Sequence, residues 1–278
     1  MNTQAISEKS TKYFPYSIIA LIMINLPVIY ELVIEWYNDP NYSHGFLVPV
    51  ISGYLIWKKR KELSEINIST QNLGLLPIIV GILLFILGNA ASEYFTVRLS
   101  MLIILFGLVL YYYGDLVIRR VWFELFFLIF MIPIPYVIYF SATFPMQLLA
   151  SKATVFLLDG LGMPVVRQGN IIHLANQSLE VAEACSGLRS LISLLALGAI
   201  YSYLTQKRFA GKAILFLSTI PIAVIGNIFR VFVTSILVYT LEADVTAEPI
   251  HSMMGASVFV VALILLLIFG ILLKKVIK

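Results

Sequence analysis

Apolar runs of helix length, separated by short polar breaks, occupy most of this chain, and they decide its solvent. Hydrophobic residues make up 60% of the 278 and charged residues 12%, against about 45–50% and about 25% in soluble domains. Mean hydropathy is +0.94. No water-soluble fold can hide that much apolar surface. An outer-membrane barrel would show alternating segments of about ten residues, and the runs here are continuous and longer. The expectation is an all-α polytopic membrane protein with eight spans, at 15–36, 43–57, 73–91, 97–113, 117–140, 188–205, 213–240 and 252–273. The chain reads as a single domain over 1–278, with no internal repeat and no separate soluble domain after the last span.

Charge tests that drawing. Lys9 and Lys12 precede the first span, Lys58-Lys59-Arg60-Lys61 follow the second, and Arg119 and Arg120 follow the fourth. Lys207, Arg208 and Lys212 follow the sixth, and Lys274, Lys275 and Lys278 close the chain. The acidic residues Glu31, Glu35, Asp39, Glu242, Asp244 and Glu248 fall in the alternate loops. By the positive-inside rule both termini are then cytoplasmic. The net charge of +4 is orientation chemistry, and no nucleic-acid partner is expected. The polar first fourteen residues and the absence of a small-residue cleavage site mark the first apolar run as a retained helix.

The region 141–187 departs from this pattern. Ser141 to Asp159 is fairly apolar yet contains Pro145, Gln147, Lys152 and Asp159. If it crossed, the later charges would break the rule, so it is read as an amphipathic or re-entrant helix on the outer face. Pro164 to Glu183 contains short β-prone pieces broken at Gln168-Gly169-Asn170 and Ala175-Asn176-Gln177, which reads as a small extracytoplasmic hairpin. His173 is expected on its surface.

Directly after it stands Cys185, the only cysteine. One thiol forms neither an internal disulfide nor a cysteine metal cluster, so it is either an inert small hydrophobe or a nucleophile. Its surroundings favour the nucleophile. It precedes an apolar helix, and Arg189 lies four residues on, where a helix N-terminus and a cation lower a thiol pKa. Arg230 lies in the outer half of the seventh span, roughly 15 Å from its end; an arginine there is costly unless it faces a cavity or partner. His251 opens the eighth span. The three share a depth. Cys185 is the candidate nucleophile, Arg230 the candidate stabiliser of an oxyanion or of the substrate backbone, and His251 the candidate general acid/base. Asn227, Arg189, Glu248 and His44 are candidate supporting residues, with Glu180 and Glu183 competing with Glu248 to orient the imidazole. No zinc-protease pattern joins the three histidines, so no metal or cofactor is expected.

The ordered motifs resemble the exosortase/archaeosortase family: Glu180-Val181-Ala182-Glu183-Ala184-Cys185-Ser186-Gly187-Leu188-Arg189-Ser190, Asn227-Ile228-Phe229-Arg230, His251-Ser252-Met253-Met254-Gly255 and Ser43-His44-Gly45-Phe46. The resemblance implies a multi-pass bacterial inner-membrane cysteine transpeptidase or protease whose Cys, Arg and His map onto Cys185, Arg230 and His251. Its substrates would be secreted proteins with a C-terminal sorting tail: a Pro-Glu-Pro-type motif, a hydrophobic helix and a basic end. A thioester would form at the outer face beside membrane lipid and pass to an unidentified acceptor. Some exosortases carry a further C-terminal domain, whereas this sequence ends at Lys278. Two rival classes remain: a transporter or exopolysaccharide-export component with Arg230 in its cavity, and a non-catalytic scaffold.

Overall fold

The computed structural model describes residues 11–175, 177–181, 188–241 and 250–276, without the side chains of 188–190, 241 and 250–256. The chain forms two compact units, Met1–Ile134 and Pro135–Lys278.

The first unit contains α1 (Phe14–Ile24), α2 (Leu26–Asn38), α3 (Leu47–Lys58), α4 (Arg60–Ser64), α5 (Leu75–Ala90), α6 (Tyr94–Tyr113) and α7 (Asp115–Phe127). The second contains α8 (Tyr136–Gly160), β1 (Val165–Gln168), β2 (Ile171–Leu174), β3 (Ser178–Glu180), α9 (Leu188–Thr205), α10 (Phe209–Leu241) and α11 (Ile250–Val276). Among the described residues, four helices are long and apolar enough to cross a membrane: Asn72–Ala90, Tyr94–Tyr113, Phe209–Thr240 and Ser257–Val276. The number rises to six if two broken helix pairs each count as one span.

The difference from eight has local causes. The expected first span is bent by 66° between α1 and α2. Pro27 lacks an N–H and crowds the carbonyl four residues back, and the buried Asn25 side chain donates to the Leu21 carbonyl at the break (2.9 Å). The expected second span yields only the 12-residue α3, about 18 Å long against a hydrocarbon core of about 30 Å. The expected fifth stops at Met131, where Pro133 and Pro135 end the helix. The expected sixth span matches α9, Leu188–Thr205, an 18-residue helix.

In the first unit α5 and α6 pack backbone to backbone. Gly74 at the N-cap of α5, and Gly81 and Gly88 within it, recur every seventh residue, and a Cβ at any of them would collide with Tyr111, Ile104 or Val97 of α6. Such small-residue seams let membrane helices approach closely, because apolar side chains gain nothing by leaving lipid for one another. Glu93 caps α6, its carboxylate accepting from the Phe95 and Thr96 amides (3.1 and 2.7 Å). Two buried charges are matched. Arg98 is 2.7 Å from Glu35, and Glu124 is 2.8 Å from Lys59.

In the second unit three strands pair antiparallel in the order β1-β2-β3, one at each of the β-prone pieces that the two sequence breaks separate. The β1–β2 loop, Gly169-Asn170, joins the Gln168↔Ile171 pair. Gly169 has φ +64°, which a two-residue loop with glycine first requires. Beside the sheet, α8 is a continuous 25-residue helix turned inside out. Thr143, Gln147, Ser151 and Thr154 are buried, while Val137, Phe144 and Phe156 are exposed. The 141–159 segment is therefore not a surface-lying amphipathic helix, although Lys152 and Asp159 are exposed; with the preceding helix it makes one of the two broken pairs, as a re-entrant or a broken span does. Its polar stripe is turned inward because the sheet needs those groups: Ser151 donates to the Gly169 carbonyl (3.0 Å). An apolar core joins α8, the sheet and α10 through Ala150, Leu158, Ile172, Leu174, Val181 and Val231.

Candidate active site

Asn227, Arg230 and Thr234 lie three and four residues apart on α10, hence on one face. They are 1%, 6% and 6% exposed. Arg230 and Thr234 line a crevice of about 10 Å³ with Leu179, Glu180 and Val181, space for about one water. Glu180, weighed from sequence as a partner for His251, is a wall of that crevice.

The strand that forms this wall is anchored from below. The Val181 amide donates to the Asn170 carbonyl (2.9 Å). The Asn170 side-chain amide donates to the Val181 carbonyl (3.3 Å) and to Gln147 Oε1 (3.4 Å). Val181 is thus held on both backbone groups, four residues before Cys185. Sequence reasoning missed Asn170 and Gln147 as positioning residues. The available signal was a glutamine inside an apolar helix, which demands an internal partner.

Helix register relates the remaining residues. A Cβ on Gly198 of α9 would meet Thr219 of α10. The helices run antiparallel, so ten residues back from Gly198 and ten on from Thr219 bring Leu188 level with Phe229, beside Arg230. Likewise Gly226 faces Val258 and Ala262 of α11, with Leu215 and Leu273 meeting at the far end of the same cluster. Carried along the helices, that register sets the backbone of His251 about level with Ser235, about 7–8 Å along the axis from Arg230. The start of α9, the middle of α10 and the start of α11 therefore converge.

Cys185, Glu183 and Glu248 lie outside the described residues, as do the side chains of Arg189 and His251. His44 belongs to the first unit and has a structural task there. Its Nε2 donates to the Phe130 carbonyl (3.1 Å), next to the Trp36 Nε1 bond to the Met131 carbonyl (2.8 Å). The Tyr42 hydroxyl accepts from the Ile134 amide (3.3 Å). His173 is on β2, its Nδ1 2.7 Å from the Ser178 hydroxyl. Among the described residues, no group of three His, Cys, Asp or Glu side chains has the arrangement to hold a metal.

A model of the transmembrane exosortase family, EpsH type, matches residues 36–268. This chain belongs to the exosortase family. The match takes in every residue assigned above to the site, from His44 to His251, in a single stretch. No curated protein and no solved structure is detectably similar to this exosortase. Family membership accords with the several apolar helices; it assigns no role to an individual residue.

Proposed function

We propose that this exosortase is a membrane cysteine peptidase/transpeptidase that removes a C-terminal sorting tail from secreted proteins. The Cys185 thiolate attacks the scissile carbonyl. His251 takes the thiol proton and returns it to the leaving amine as the C–N bond breaks, leaving a thioester on Sγ. Water or an acceptor amine then attacks the thioester and releases the thiol. Arg230 bears on the tetrahedral oxyanion or on the substrate backbone before it, where a fixed cation in a water-poor crevice acts strongly. Asn227 and Arg189 support these groups, and Glu248 orients the imidazole.

The observation that carries this reading is the convergence of Arg230, the anchored Val181 and the first turn of α9 at one level. Four residues of chain extend about 14 Å at most, so Val181 ties the Cys185 segment to the neighbourhood of Arg230. The topology that suits it has eight crossings in a bacterial inner membrane, both termini cytoplasmic and this level on the outer side. A tail with a hydrophobic helix would enter the bilayer beside the bundle, presenting its short motif at the interface.

The test is Cys185→Ala in cells expressing a tagged sorting-tail protein. Tail removal should cease, and the unaltered enzyme should yield a hydroxylamine-sensitive adduct on Cys185. Full-rate processing by Cys185→Ala would refute the nucleophile assignment.

A further inference from the structure

The first unit contains a second feature that the proposed reaction does not use. Between α3, α6 and α7 lies a cavity of about 680 Å³, within the range of sites that hold small molecules. It follows α3 from Pro49 to Trp57, about 12 Å at the helical rise, and reaches Arg60 at the start of α4. That is roughly half the hydrocarbon thickness of a bilayer, or one leaflet. Val109 of α6 and Val121 and Leu125 of α7 give it apolar walls. A polar solute has nothing to bind along most of this length.

One end differs. There Arg60 lies over the Trp57 ring at 4.0 Å and donates to the Trp57 carbonyl (3.1 Å), so its guanidinium is held at the mouth. Around it the chain concentrates cations: Lys58, Lys59, Arg60, Lys61, Arg119 and Arg120. Three are matched, Lys59 with Glu124, Arg119 with Asp115 and Arg120 with Glu62. Lys58, Arg60 and Lys61 are exposed, and among the described residues they form no ion pair with a carboxylate. The mouth therefore carries a positive surplus.

We infer that this slot binds an anionic glycerophospholipid, one acyl chain along α3 and the headgroup phosphate on Lys58, Arg60 and Lys61. A neutral apolar ligand would explain the slot without the cations. A soluble anion would explain the cations without the slot. Only a ligand with both parts, one leaflet long, uses the whole feature. Clusters of cations at the end of membrane helices attract anionic headgroups for the same electrostatic reason. The site is separate from the Cys185–Arg230 level and does not depend on the proposed reaction.

Gly53 gives a clean test, because it lines the slot and a Cβ built on it meets no atom within 4 Å. Purified full-length protein, stripped of lipid, would be titrated with phosphatidylglycerol or phosphatidylcholine, and bound lipid counted by native mass spectrometry. Thermal unfolding would be followed in parallel. The unaltered protein should hold one phosphatidylglycerol at least about ten-fold more tightly than phosphatidylcholine. Gly53→Phe should lose that lipid while unfolding at the same temperature, and Gly53→Leu provides the same reading should the larger side chain disturb the fold. Replacing Lys58, Arg60 and Lys61 by Gln should weaken phosphatidylglycerol about five-fold per cation and erase the preference. Equal retention of the two lipids by the unaltered protein would overturn the proposal. So would an unchanged lipid count in a folded Gly53→Phe or Gly53→Leu variant.

Discussion

Both units bury polar side chains, and they treat them differently. In the first, Asn25 Oδ1, Arg98 Nε and Glu124 Oε2 lack a hydrogen-bond partner among the described residues, but each of these side chains keeps another bond, to the Leu21 carbonyl, Glu35 and Lys59. In the second, the groups near Arg230 are left with unmade bonds. Neither Asn227 Oδ1 nor Nδ2, nor Thr154 Oγ1, nor Gln147 Nε2 has a hydrogen-bond partner among the described residues. An unmet buried polar atom costs about 1–3 kcal/mol, and at Asn227 no second bond of the side chain offsets it among the described residues. The difference marks Asn227, on the face of Arg230, as a buried amide with both polar atoms open to an incoming partner.

If that is right, stability and activity should respond in opposite units. Lys59→Ala leaves Glu124 without its 2.8 Å cation and should destabilise by about 3–5 kcal/mol, read as a lowered midpoint of thermal unfolding in detergent. Arg230→Ala should instead lower the rate of tail removal by about 100-fold or more, with Arg230→Lys recovering little because a point charge does not reproduce the planar fork. Gly81→Leu forces apart α5 and α6, where a Cβ would meet the Ile104 side chain, and should cost about 1–3 kcal/mol.

Asn227→Leu sharpens the comparison most. It removes two unsatisfied atoms at nearly constant volume, so stability should hold or rise while tail removal falls. A large loss of stability would mean that Asn227 is an ordinary core residue. The smallest effect belongs to the α6 cap. The Thr96 side chain, and the Thr96 and Phe95 amides, hold the Glu93 carboxyl below its ordinary value of 4.5. A depressed folded-state pKa gives stability that is complete above the unfolded value and lost as pH falls through the folded one. Glu93→Gln should therefore cost up to about 1 kcal/mol at neutral pH, and nothing once the medium is acid enough to protonate Glu93.

Much of this was legible in the residues. The apolar runs gave the class, and the spacing of Asn227 and Arg230 gave one face of one helix. The three short β-prone pieces before Cys185 do form three strands. Less legible was how far each run continues as helix. Pro27, Pro133 and Pro135 break runs that hydropathy joins, because hydropathy sums side chains and does not register a missing amide. The inward stripe of α8 was also hidden. Gln147 and Ser151 read as a surface until the Gly169-Asn170 turn, about twenty residues later, supplies their partners. The seven-residue spacing of Gly74, Gly81 and Gly88 was visible in principle, but its meaning needs the facing helix.

The single native cysteine makes the convergence of the site directly measurable. Arg230→Cys and Thr219→Cys each add one thiol to the same face-crossing helix, eleven residues or about 16 Å apart, and each can be tested against Cys185 with a short bis-maleimide. Cross-linking of Cys185 to position 230 and not to position 219 is the expected result. Cross-linking to position 219, with none to position 230, would place the thiol away from the guanidinium and contradict the shared site.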